Sequence, residues 1–169
     1  RQGAIANREA QILLAMAYHP DILAIFLEEL AELEFASPDA ARLRDGLVGC
    51  ADADIADVPG LRAALERSGF AGALDKVEAM SVVASLWNIR PEAASEDVKA
   101  TLSQALALHR RARSLNKELK AVEFALGQEP SDENFARLQE IKNELAGLDG
   151  REAALEGFGI MSGRPTRTF

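Results

Sequence analysis

Three aspartates close together, Asp52, Asp54 and Asp57, are the first residues in this chain to suggest chemistry, because hard divalent cations are held by clustered carboxylate oxygens. The grouping departs from a calcium loop, since Asp57 fills the place of the turn glycine and no glutamate stands where the bidentate ligand belongs. A solvated loop and a helix cap account for it, with Asp57 just ahead of Val58-Pro59. A metal-dependent helical enzyme built on these three carboxylates is the alternative. The histidines, His19 and His109, lie far apart, and no nucleophile elbow, HExxH motif or phosphate loop accompanies them. His19 is expected to be a structural residue at a helix boundary. Gly157, Gly159 and Gly163 have a superficial likeness to a dinucleotide fingerprint, but no strand precedes them and no helix is expected after them. No catalytic residue, cofactor or metal is expected for this chain.

A binding surface is the better-supported chemistry. Arg110, Arg113, Lys117 and Lys120 step by three, four and three residues and so share one helix face, which Phe124 continues one turn further on. An aromatic ring at the end of a basic stripe has the composition of an interface anchor. Gln128 follows in the turn beyond, and these six residues form the expected partner-binding set. Two duller explanations compete: cations late in a helix complement its macrodipole, and the ring can tuck under the turn against Pro130.

The elements that position this stripe are helical throughout. Apolar residues recur at helical spacing, strand-like alternation is absent, and the expected fold is all-α. A first helix covers Arg8 to Tyr18, with Ile5, Ile12, Leu13 and Met16 on one face. His19-Pro20 ends it, because the residue before a proline leaves the helical region while Pro20 suits the first turn of the next helix. That helix carries Ile22, Leu23, Phe26, Leu30 and Leu33. Ser37-Pro38 starts a third helix bearing Leu43 and Leu47, and Asp57 caps a fourth with Leu61, Ala64 and Leu65 inward. Gly69 and Gly72 bracket Phe70 before a fifth with Leu74, Val77 and Met80, and Trp87 and the break at Pro91 follow.

From Ser95 the pattern runs without Gly or Pro to Gly127. Ala105, Leu108, Ala112, Leu115, Leu119, Val122 and Leu126 alternate steps of three and four, a heptad seam on a helix about 45 Å long. Gly127-Gln128-Glu129-Pro130 turns the chain, Ser131 caps a last helix, and Phe135, Leu138, Ile141, Leu145, Leu148 and Leu155 supply the complementary stripe. The reading is a compact bundle over 1–94, a long antiparallel helical hairpin over 95–157 with its base continuous with the bundle, and a flexible tail over 158–169. The hairpin, resting on one narrow seam, is expected to be the less stable unit.

Composition sets limits on function. The lone Cys50 makes no intramolecular bridge and the default compartment is the cytoplasm. No apolar run approaches the length of a membrane span. Residues 1–107 hold 9 Lys/Arg against 17 Asp/Glu and residues 108–169 hold 10 of each, so the net charge of −8 belongs to the front part. Such a surface repels phosphate backbones and disfavours strong nucleic-acid binding. An opening Arg1 in place of Met is expected of a piece cut from a longer chain.

The stretch from Arg8 to Leu23, with an early acidic Glu9, the Ile12-Leu13-Leu14 run and His19-Pro20, continued by Phe26, Leu30 and Leu33, resembles the C-terminal helicase-binding domain of bacterial DnaG-type primases. The likeness is sharp in sequence near the start and architectural over the rest. It implies a non-catalytic module of a DNA-dependent RNA polymerase that docks on the replicative DnaB-type helicase, chiefly through the hairpin, and couples primer synthesis to unwinding. On that basis Phe124 is expected to anchor the contact, with Arg113, Lys117 and Lys120 as steering charges. The N-terminal domain of the helicase itself is the alternative. It shares the bundle-and-hairpin plan, but its opening helix usually carries a Glu-Gln pair and lacks the His-Pro step.

Overall fold

The computed structural model describes residues 6–51, 55, 57–79, 90 and 92–162, with side chains as far as residue 151. Among them are seven α-helices and no strand: α1 (Asn7–Ala17), α2 (Pro20–Glu32), α3 (Pro38–Cys50), α4 (Val58–Arg67), α5 (Ala71–Glu78), α6 (Ser95–Gln128) and α7 (Asp132–Ser162). Ile5, Asp52, Asp54, Met80, Trp87, Pro91 and Gly163 lie outside the described residues.

The capping residues read from the sequence occupy the expected positions. α1 stops at Ala17, His19 lies outside the helical region at φ −135° and ψ 79°, and Pro20 opens α2. Ser37 Oγ accepts from the Ala40 N–H at 3.4 Å, Asp57 Oδ1 from the Gly60 N–H at 2.8 Å, and Ser131 Oγ from the Asn134 N–H at 3.1 Å. α4 ends in a Schellman turn, with the Phe70 N–H on the Leu65 carbonyl at 2.8 Å and the Gly69 N–H on Glu66. Gly69 takes φ +84°, a conformation that glycine adopts without steric cost. The turn aims Phe70 at α3, where Gly46 makes room: a Cβ there would meet the ring at 2.6 Å.

α1 is the axis of the bundle. Every residue from Glu9 to Ala17 is buried, so its apolar surface is wider than the single face expected and includes Ala10, Leu14 and Ala15. A helix enclosed by α2, α3, α4, α5 and α6 has no solvent side, and a nearly all-round apolar sequence is its signature. The core gathers Leu13, Met16, Ile22, Leu30, Leu43, Leu47, Leu61, Leu65, Leu74 and Val77, and then takes in Val98, Leu102, Ala105 and Leu106 of α6. A division at 94/95 therefore falls inside one hydrophobic core.

α6 continues without interruption into a second, smaller core. Ala112 and Leu115 pack there against Ile141 and Leu148, flanked by Leu108, Leu119, Val122 and Leu145. This is the heptad seam of an antiparallel hairpin closed by the three residues Glu129, Pro130 and Ser131. Phe135 departs from the expected stripe. It is 55% exposed, because the tip of a two-helix hairpin offers the ring no third wall. The tail expected from residue 158 is helix as far as Ser162, since α7 runs on through Gly157 and Gly159, and residues 163–169 lie outside the described residues. A glycine weakens a helix by only about 1 kcal/mol, and an established helix gains a hydrogen bond with each added residue, so two isolated glycines do not end it.

The two cores differ in depth, and local stability should follow. In native-state hydrogen exchange, amides from Val122 to Gln128 should open by local unfolding while those of Leu13, Leu43 and Leu102 exchange only on global unfolding. Leu102→Ala should lower global stability by about 2–5 kcal/mol. Equal protection at the hairpin tip and the bundle core would contradict this assignment.

Candidate interaction surface on the hairpin

Between the two cores α6 crosses a polar belt. His109, 1% exposed, stands there with Phe35 beside it at 5.4 Å between ring centroids. Its Nε2 lies 2.6 Å from the Glu34 carbonyl and its Nδ1 accepts from Arg8 Nε at 3.2 Å, a pairing that only the neutral Nε2–H tautomer satisfies on both sides. Burial pushes the imidazole pKa down to about 4, with the Arg8 and Arg113 charges adding to the effect and the Glu34 carbonyl opposing it. Glu9 is a further buried polar group, 1% exposed. Its carboxylate accepts from the Ala36 N–H at 2.8 Å and the Ser37 N–H at 3.3 Å, so it ties α1 to the segment between α2 and α3. Burial raises its pKa, and the two backbone N–H groups and nearby arginines pull it back.

On the outside of the same belt the basic stripe meets α2. Arg110 pairs with Glu29, while Arg113 at 3.5 Å and Lys117 at 3.0 Å converge on the Glu34 carboxylate. Those contacts hold the Glu34 pKa below its usual range, the Lys117 ammonium being the main cause. An open groove of about 390 Å³ runs along this junction, lined by Glu29, Glu32 and Glu34 on one side and Arg110, Arg113 and Lys117 on the other. Each of the three cations thus faces a carboxylate, and the groove is a seam between bundle and hairpin rather than a cup for a ligand of one sign.

The expected stripe is therefore divided by the fold. Arg110, Arg113 and Lys117 have carboxylate partners within the chain. Lys120, Phe124 and Gln128 lie beyond the reach of α2 and are exposed. Phe124 is 71% exposed, which removes the possibility that it packs beneath Pro130. Sequence reasoning missed Glu29 and Glu34 as partners of the stripe, Glu9 with His109 as the buried node, and Phe135 as a second open ring. Phe135 left a trace: it flanks the heptad positions rather than holding one, since Leu138, Ile141, Leu145 and Leu148 step by three, four and three without it.

Among the described residues no group of three or more His, Cys, Asp or Glu side chains is placed to hold a metal ion. Asp57 is engaged as a cap. No helix among them is long and apolar enough to cross a membrane. No protein-family model, curated protein or solved structure matches the chain.

The buried node makes stability depend on pH in a defined direction. Below about pH 6.5 an unfolded His109 takes up a proton that the native one refuses until about pH 4, so the native state loses stability as pH falls through that window. Glu9 acts in the opposite sense, because a raised folded pKa contributes stability below the unfolded value and loses it as pH rises through the folded one. Replacing His109 isolates the first effect. In urea unfolding, the stability advantage of the unaltered chain over His109→Gln at pH 7 should shrink by about 2–3 kcal/mol at pH 4.5. Identical pH dependence in the two proteins would contradict the buried neutral imidazole.

Proposed function

We propose that the chain is a protein-docking module of a bacterial DnaG-type primase, which binds the replicative DnaB-type helicase through its hairpin and synthesises nothing itself. The observation that carries this reading is Phe124, a large ring left 71% exposed at the distal end of a stiff helix whose other end is fixed in the bundle core. Exposing such a ring gains nothing for folding, whereas burying it in a partner's pocket lets it act as an interface anchor. The His19-Pro20 junction supports the primase reading over the helicase's own N-terminal domain, while the bundle-then-hairpin order suits both.

The residues expected to bind then divide by role. Phe124, with Lys120 and Gln128 beside it, forms the docking surface. Arg110, Arg113 and Lys117 set the hairpin on the bundle through Glu29 and Glu34. Phe124→Ala should weaken binding to the replicative helicase of the same organism by about 1–3 kcal/mol while leaving the thermal midpoint almost unchanged. Isothermal titration alongside a melting curve measures both. Undiminished affinity with the variant would remove Phe124 from the contact, and no binding by the unaltered chain would remove the helicase reading.

A further inference from the structure

We infer that the hairpin tip is a two-ring anchor with an acidic rim, fitted to an apolar protein surface bordered by lysines and arginines. This rests on the docking reading above and specifies its partner surface. Phe124 lies four residues before the end of α6 and Phe135 three residues after the start of α7, so at 1.5 Å per residue both rings stand about one helical turn from the closing turn. They are two of the three large apolar side chains exposed among the described residues, the third being Ile25 on α2.

The charge around them is opposite to that of the stripe below. Toward the bundle several charges are paired, Lys117 with Glu34 and Arg137 with both Glu118 and Glu140. Nearer the turn, Lys120 stands against Glu123, Glu129, Asp132 and Glu133, all exposed and none in an ion pair among the described residues. Asp132 and Glu133 have a structural use, since anions favour the N-terminus of α7. Glu129 has none of that kind. It occupies the C-cap of α6, where the macrodipole disfavours an anion, and Glu123, one turn from Lys120, forms no ion pair among the described residues.

The occupant follows from that charge. Nucleic acid is repelled by an acidic rim, and a second copy of this chain carries the same net charge of −8, with three of the four cations of its stripe, Arg110, Arg113 and Lys117, already engaged by Glu29 and Glu34. A basic-rimmed protein surface is attracted over distance and buries the rings on contact. Steering thus belongs to the acidic residues of the tip rather than to the basic stripe.

The test uses the whole chain and the replicative helicase of the same organism, with association followed by stopped flow at low and high salt and affinity by titration. Glu123→Lys with Glu129→Lys should slow association about tenfold at low salt and abolish its salt sensitivity. Phe135→Ala should weaken affinity at least about tenfold through faster dissociation. Helical circular dichroism of each variant must match the unaltered chain. If Phe124→Ala weakens binding while Phe135→Ala does not, or if the lysine variant associates faster, the two-ring acidic tip is overturned and the helicase reading stands. If the unaltered chain fails to bind, both fall.

Discussion

Everything in this molecule depends on α6 remaining one helix across two different cores. Its first half is a wall of the bundle through Val98, Leu102, Ala105 and Leu106, and its second half is one strand of the hairpin seam through Ala112 and Leu115. At 34 residues it is about 50 Å long, more than a small bundle can enclose. Such a helix stays straight and fixed in direction only if the crossing point is held. His109 and Glu9 hold it. Both groups are costly to bury, and each is tolerated because its hydrogen bonds are met by Arg8 and the backbone between Glu34 and Ser37. Those bonds draw the α2–α3 segment against α6 at the place where the bundle core ends.

The surface charges repeat this arrangement in water. Glu29 and Glu34 meet Arg110, Arg113 and Lys117 on the exposed side of the same crossing. Exposed ion pairs of this sort contribute little to stability individually. Several of them on neighbouring turns define an orientation, and here the orientation sends the hairpin tip away from the bundle. α7 packs on α6 as its main partner, which leaves the tip open on most sides. The open rings and the polar node are thus two ends of one design: a fixed base and a presented tip.

Local features of this fold could be read from single residues, and long-range ones could not. His19-Pro20, Ser37-Pro38, Asp57 and Ser131 each act on the backbone within a few positions, so their types alone located helix starts. The heptad seam was legible because its period belongs to the hairpin by itself. The partners of the basic stripe were hidden because Glu29 and Arg110 are distant in sequence and meet only through the packing of α2 on α6. The same distance concealed the bond between Arg8 and His109. Phe124 falls between the heptad positions and is exposed, and Phe135, apolar like the seam residues, lies in a register to one side of them. The glycines near the end of α7 are weak helix formers rather than stops, so their type alone does not mark where the helix ends.

The central claim is that bundle and hairpin form a single rigid body through α6, so that the tip is presented in one direction. A nitroxide pair placed on the exposed positions Arg67→Cys in α4 and Glu129→Cys at the turn, with the buried Cys50 changed to Ala, reads that geometry directly by pulsed dipolar spectroscopy. The account predicts one narrow distance distribution that broadens when His109→Ala opens the crossing point. A broad or two-peaked distribution in the unaltered background would contradict it, because the hairpin would then swing freely on the bundle.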